Sequence, residues 1–256
     1  MEPKPVEQNR PPAYPTRREM LAGTASFALL NLTGYGVVSA ETEAGTISVA
    51  PVFEHGVGRG VAGCVVLTPP VFLSEEEGMQ ILREELAKDG IHLKAGGILD
   101  GVSVKLRFEK HEVVNEGGRE KRLKSIVEVP GSSKPLKLDG IDSNKRIAVE
   151  FVSEKGYYEL GGPVNGVSIC DYNFKDTAKY VAALAKRQGR SRVFFGVFYD
   201  PSPEMPSPKP SKGDNRAARR AAWKKQMEQG KEEAGKLLRR QARDFVAWLK
   251  EQKAIP

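Results

Sequence analysis

The sequence predicts an α+β fold: a mixed, mostly antiparallel sheet with two packing helices, followed by a long C-terminal amphipathic helix. Three observations support this prediction. Segments of alternating polar and apolar residues fill the middle of the chain, two segments of helical period flank them, and residues 193–199 form a continuous apolar run. Strands and helices in this order are typical of α+β domains.

The domain is expected to open with a strand and a capped helix. Residues 46–53 alternate between polar and apolar side chains, which predicts the strand. Ser74 and Glu77 stand at capping-box spacing, and this pattern places the acids of Glu75–Glu77 at the positive end of a helix. Apolar residues at helical spacing then extend this helix to about Gly90.

The middle of the chain reads as a series of strands. Residues 102–108 alternate regularly, and further strands are expected at 123–129, 135–138 and 146–152, separated by turns rich in Gly, Pro, Asp and Asn. A second helix is predicted over 174–188, ended by Gly189. Residues 193–199 are too continuously apolar for anything but a central strand.

The N-terminal segment carries the most specific motif of the chain. Thr16, Arg17, Arg18, Met20 and Leu21 precede an uncharged, weakly apolar stretch that runs to residue 40 and ends in small residues. This pattern resembles twin-arginine signal peptides. The resemblance implies export of the folded chain to the periplasm or beyond, with the twin-arginine translocase as the partner during export. The alternative is an uncleaved N-terminal anchor in the inner membrane.

Four segments follow from these patterns: a signal peptide over 1–40, a globular α+β domain over 41–200, a Pro-rich linker over 201–213 and a basic amphipathic helix over 214–256. The net charge of +7 is concentrated at the C-terminal end, where residues 206–256 hold fourteen Lys or Arg against six Asp or Glu. A chain that is basic at one end suggests an interaction tail rather than a basic cleft.

The cations of the first part of that helix are the candidate docking residues: Arg216, Arg219, Arg220, Lys224 and Lys225. Three interpretations stay open, namely docking to an anionic surface of the cell envelope, pairing with a partner helix, and folding back of the apolar stripe onto the sheet. Export argues against nucleic acid as the partner.

The two cysteines, Cys64 and Cys170, leave two possibilities. An exported chain with two cysteines suggests one disulfide, whereas each cysteine also lies in an apolar run where a buried thiol is ordinary.

Asp139 and Glu150 are the candidate catalytic pair. The order helix, strands, helix, strand is similar to the core of restriction-endonuclease-like enzymes, which hold a metal with an Asp on one strand and an acid two residues before a Lys on the next. Asp139 and Glu150 stand at those acid positions, but Val152 occupies the Lys position. This resemblance implies, as an alternative function, a metal-dependent hydrolase with a degenerate site.

No other motif indicates chemistry. The stretch Gly58–Gly63 has the spacing of a dinucleotide fingerprint, but residues 64–70 cannot continue as a helix. The three histidines lack metal-ligand spacing. The sequence therefore predicts an exported, non-catalytic binding or structural protein of the cell envelope, without cofactor or metal.

Overall fold

The computed structural model describes residues 47–62, 70–117, 119–165, 170–205 and 216–256. The predicted signal peptide, Cys64 and residues 206–215 lie outside these ranges. The described residues form three helices: α1 (Glu75–Ala87), α2 (Phe174–Gln188) and α3 (Arg216–Glu251). They also form the strands β1 (Ser48–Val49), β2 (Arg59–Ala62), β3 (Ile98–Val104), β4 (Arg107–Glu116), β5 (Arg119–Glu128), β6 (Lys134–Lys137), β7 (Gly140–Asp142), β8 (Ile147–Val152), β9 (Cys170–Asn173) and β10 (Phe194–Tyr199).

The predicted α+β class is confirmed. A central sheet has the strand order β1-β10-β8-β7, in which β1, β10 and β8 are parallel and β7 is antiparallel to β8. The remaining pairs, β2–β9, β3–β6 and β4–β5, are all antiparallel. Parallel neighbours need a long crossover, and α2 lies in the one that joins β8 to β10. The apolar strand β10 is central, as its composition predicts.

Apolar side chains cover both faces of the central sheet. On one face, α2 packs against β8 and β10 through Val181, Phe195 and their neighbours. On the other face, α1 and α3 contact the sheet through Leu82, Phe198 and Phe245. Each of these side chains is at most 1% exposed, so the sheet is the middle layer of three.

Local chemistry sets the ends of the first two helices. The Ser74 hydroxyl accepts a hydrogen bond from the Glu77 N–H at 3.1 Å, and the Glu77 carboxylate accepts one from the Ser74 N–H at 2.8 Å. This capping box confirms the predicted start of α1. Helix α2 spans the predicted residues 174–188 and is capped by Gly189.

Helix α3 has two halves with different surroundings. From Gly230 to Leu249 one face is buried: Gly230 lies against Val71, and the Phe245 ring lies against Gly196 of the central strand. The apolar stripe therefore folds back onto the sheet, one of the three outcomes left open by the sequence. Residues 216–225 are exposed except for a half-buried Trp223. In the described part of the chain no helix is long and apolar enough to cross a membrane.

Two segments differ from the predicted strands. The strand expected over 46–53 is reduced to β1 among the described residues, and Pro51, which has no N–H for the ladder, follows it closely. The second segment is longer than predicted: β4 and β5, of ten residues each, form an antiparallel ribbon that turns at Gly117, whose φ is +62°. The sequence predicts only the base of this ribbon.

Candidate functional site

Asp139 and Glu150 lie side by side at one end of the central sheet. Asp139 directly precedes β7, and Glu150 lies within β8. Because Gly140 pairs with Val149 in the antiparallel β7–β8 ladder, the position before Gly140 falls opposite Glu150. The ladder thus brings together the two acids that the sequence places eleven residues apart.

Each carboxyl group of the pair accepts a hydrogen bond from the backbone of the other strand. The Asp139 N–H donates to Oε2 of Glu150 at 3.2 Å, and the Phe151 N–H donates to Oδ2 of Asp139 at 2.9 Å. The β7–β8 ladder ends at the Gly140–Val149 pair, and beyond it these side-chain hydrogen bonds replace backbone–backbone ones. The pair therefore has a structural role, since it satisfies backbone donors that are largely withdrawn from water.

Burial changes the ionisation of both groups. Glu150 is only 4% exposed, and desolvation, followed by the charge of Asp139, holds its pKa well above the usual range. Desolvation also raises the pKa of Asp139, to about 6, although the Phe151 N–H opposes this shift. Glu150 therefore holds its proton more tightly than Asp139 does, and its protonated carboxyl donates a hydrogen bond to the Asp139 carboxylate.

Asp139 also lines an open cleft of about 650 Å³ between α1 and the segments before β3 and β7. The charged residues of this cleft are Glu75, Glu76, Arg83, Glu84 and Asp139. The charge of Glu75 further raises the pKa of both Asp139 and Glu150. The lining therefore holds four carboxylates and one guanidinium. Lys155 and Arg239 lie within ion-pair distance of Glu75, Glu76 and Glu84 from outside the lining, so a small excess of negative charge remains.

Lys155 approaches the same cleft from beyond the end of β8. Its Nζ lies 3.7 Å from Oε2 of Glu75 and 3.8 Å from Oε1 of Glu76. Val152, at the position of the Lys in restriction-endonuclease-like enzymes, is fully buried in the core. Lys155, the first cation after Glu150 in the sequence, therefore contacts α1 instead of following Glu150 along the strand.

The acid pair does not fit the metal centre that the resemblance implies. Glu150 is buried, burial raises its pKa well above the usual range, and one oxygen of each carboxyl already accepts a backbone N–H. No group of three or more His, Cys, Asp or Glu side chains within the described ranges is arranged to hold a metal ion. Asp139 and Glu150 are thus arranged as a hydrogen-bonded pair and not as metal ligands.

The other sequence-predicted residues lie apart from this cleft. Arg17, Arg18 and Cys64 are outside the described residues, so both the export signal and the bridge between Cys64 and Cys170 remain predictions. Cys170 begins β9 and is half-buried. The five cations Arg216, Arg219, Arg220, Lys224 and Lys225 are all exposed on the first half of α3.

Sequence reasoning missed three charged groups, namely Glu75 in the lining of the cleft, Lys155 beside the cleft and one buried acid. Glu75 is recognisable only as a helix-capping acid, and Lys155 only as a residue past a strand end. The third group, Asp200, follows β10 and is completely buried, where its carboxylate accepts the N–H groups of Leu73 at 2.6 Å and Ser202 at 2.8 Å. The Asp-Pro-Ser sequence, typical of a turn held by an Asp side chain, is the signal for it.

No protein-family model matches this chain, and no curated protein or solved structure shows significant similarity to it. The similarity to restriction-endonuclease-like enzymes therefore rests only on the order of the elements and on the positions of Asp139 and Glu150.

Proposed function

We propose that this chain is an exported, non-catalytic binding protein of the cell envelope, and that the cleft beside Asp139 binds a cationic group. The acidic lining of that cleft is the observation that carries the proposal. Asp139 is ionised at neutral pH, and the carboxylates of Glu75, Glu76 and Glu84 surround the same space. A ligand ammonium or cation placed there meets negative charge from two sides.

The arrangement of the acid pair supports binding over catalysis. The oxygens of Asp139 and Glu150 that accept backbone N–H groups are fixed by the strands, so the pair holds the rim of the cleft in shape. Export, which the Arg17-Arg18 motif predicts, would place this cleft outside the cytoplasm.

Calorimetric titration near pH 6 tests the binding site, with Ca²⁺ and spermidine as separate probes. A bound cation lowers the pKa of Asp139, so binding at a pH close to that pKa must release protons. The proton release is measured by repeating the titration in buffers of different ionisation enthalpy.

Two variants make the titration decisive. Asp139→Asn removes the titrating group, whereas Asp100→Asn neutralises an exposed acid outside the cleft lining. We expect proton-linked binding in the wild type and in Asp100→Asn, and its loss in Asp139→Asn. Identical weak binding of both probes in all three proteins would rule out the cleft as a cation site.

A metal-dependent hydrolase is the second candidate. Its support is the convergence of Asp139 with Glu150, although both carboxyls already accept backbone N–H groups and Lys155 contacts Glu75 instead of the pair. The test is hydrolysis of bis(p-nitrophenyl) phosphate with Mg²⁺ or Mn²⁺. Metal-dependent turnover that is lost in Glu150→Gln would favour the hydrolase over the binding protein. Turnover that is unchanged in the variant would assign the activity to another site or to a contaminant.

A further inference from the structure

We infer that the first half of α3 is a docking surface for a bilayer of anionic phospholipid. This basic segment comprises residues 216–225 and carries Arg216, Arg219, Arg220, Lys224 and Lys225 without a single acid. All five cations are exposed. The choice of a membrane as the partner rests on the proposed envelope location, whereas the exposed positive charge of the segment does not depend on it.

The cations of the two halves of α3 differ in their partners. In the packed half, Lys231 pairs with Glu77, Arg243 with Glu85 and Lys250 with Asp89, so that α1 and the residues after it neutralise this part of the helix. In the basic segment, Lys224 lies 4.0 Å from Glu228, and no other described carboxylate lies within ion-pair distance of its cations. Among the described residues, the positive charge of the basic segment is thus compensated by an ion pair only at Lys224, and the segment presents the rest to the solvent.

The packed half fixes the position of the basic segment. Both halves belong to one continuous helix, Arg216–Glu251, and the packed half is locked to α1 and β10 by buried apolar side chains. The basic segment thus extends from the core as a preformed helix. Docking then costs little conformational entropy, because no disordered chain must be ordered.

Trp223 lies at the junction between the basic segment and the packed half. It is half-buried, and Arg219 and Arg220 lie one turn away on the same helix. Indole rings favour the interface between lipid headgroups and acyl chains, and each Lys or Arg near an anionic surface adds to the attraction. The phosphates of a nucleic acid attract the same cations, but the outside of a duplex offers no apolar layer for an indole ring, so a bilayer matches the combination of cations and Trp223 better.

The experiment is sedimentation of the full chain with vesicles made of equal parts of phosphatidylglycerol and phosphatidylcholine, and with phosphatidylcholine vesicles alone. The test variant changes the five cations of the basic segment to Gln. The matched control changes five exposed cations elsewhere to Gln: Lys94, Lys134, Lys137, Lys186 and Arg190. Both variants lose the same net charge and keep the N-terminal segment, so its own affinity for lipid cancels.

We expect the test variant to lose at least about tenfold in affinity for the anionic vesicles and the control to stay within about twofold of the wild type, because only the basic segment faces the bilayer. Binding should also weaken between about 0.1 M and 1 M salt, as the screening length shortens. In a Trp248→Phe background Trp223 is the remaining tryptophan, and its emission should shift to the blue on the anionic vesicles.

Three results would overturn the inference: equal sedimentation of the test variant and the wild type, an emission of Trp223 that does not change, or tighter binding to duplex DNA than to the anionic vesicles at the same salt. None of these results depends on export. A failure of the lipid surface is therefore distinguishable from a failure of the signal peptide or of the cleft.

Discussion

The side-chain amide of Gln241 hydrogen bonds to both backbone groups of Tyr199. Its Oε1 accepts the Tyr199 N–H at 3.2 Å, and its Nε2 donates to the Tyr199 carbonyl at 3.2 Å and to the His55 carbonyl at the same distance. Gln241 is 1% exposed. One side chain of α3 thus supplies hydrogen-bond partners for backbone groups at the end of β10 and in the loop after β1. These bonds fix the position of the helix on the sheet.

Replacing this amide should weaken the fold strongly. Gln241→Leu keeps the approximate volume but removes this partner from the two buried backbone groups of Tyr199 and from the half-buried His55 carbonyl, for an expected loss of about 2–4 kcal/mol in the free energy of unfolding. Urea denaturation measures it. Gln229→Leu, at an exposed position of the same helix, is the control and should change stability by less than about 0.5 kcal/mol. Equal effects of the two variants would contradict the role assigned to Gln241.

Glu150 should tolerate Gln and not Ala. Burial raises its pKa well above the usual range, so the folded protein binds this proton more tightly than the unfolded chain does. Gln is neutral in both states and can still accept from the Asp139 N–H, so we expect Glu150→Gln to match or exceed the wild-type stability at pH 7.

Glu150→Ala removes that acceptor and leaves a cavity, with an expected loss of about 2 kcal/mol. The measurement is the free energy of unfolding of both variants at pH 7, from urea denaturation. A Gln variant as unstable as the Ala variant would show that Glu150 is ionised in the folded state.

Asp200 should make stability fall as pH rises toward neutrality. Desolvation raises the pKa of this buried carboxyl from 3.8 to about 7, although two backbone N–H groups oppose the shift. The folded state therefore binds the proton more tightly than the unfolded chain does. The resulting stabilisation is complete below the unfolded pKa and is lost as pH rises through the folded one.

The measurement is the stability of Asp200→Asn relative to the wild type between about pH 5 and about pH 8. Asn loses one acceptor, which gives an offset that does not depend on pH. The wild type should lose on the order of 3 kcal/mol relative to this offset as the pH rises, as expected for a buried group with this displacement of its pKa. A difference that stays constant with pH would mean that Asp200 is ionised throughout.

Any side chain at position 196 should destabilise the protein, because Phe245 occupies the space beside Gly196. A Cβ at this position would stand 2.7 Å from Cε2 of Phe245, in a site where Phe245 is fully buried. We expect Gly196→Ala to destabilise the protein by about 1–3 kcal/mol through overpacking. Combining it with Phe245→Leu should recover part of that loss relative to the sum of the single variants. Strict additivity in this double-mutant cycle would show that the two residues do not share the space.

The twin-arginine motif predicts an export phenotype that depends on guanidinium groups and not on charge alone. A fluorescent reporter fused after residue 45 should leave the cytoplasm with the wild-type segment and stay inside with Arg17→Lys/Arg18→Lys, which keeps both charges. Lys4→Gln/Arg10→Gln removes two other cations of the segment and serves as the control. Export of the Lys variant at the wild-type level would contradict the twin-arginine prediction and, with it, the proposed location in the cell envelope.

The sequence predicts the features that depend on local chemistry. Ser74 and Gly189 mark helix ends that the structure reproduces, because a capping side chain and a C-terminal glycine act within one turn of the chain. The continuous apolar character of 193–199 likewise predicts the central strand, since only a strand covered on both faces lacks alternation.

Features set by distant contacts could not be predicted in the same way. The upper part of the β4–β5 ribbon has Val113 and Val114 exposed and charged residues on both faces, so its sequence lacks the alternation of a half-buried strand. The approach of Lys155 to Glu75 depends on how the segment after β8 passes the start of α1, and no spacing in the sequence encodes that distance.

The covering of the sheet by α3 also affects how the chain is made. Every strand of the central sheet precedes Phe245 in the chain, so the ribosome delivers the sheet before the helix that shields Phe198 and Gly196. Until that helix emerges, a nascent chain exposes one apolar side of the sheet and remains open to chaperones and proteases. Maturation of this protein is therefore expected to finish only after synthesis has passed α3.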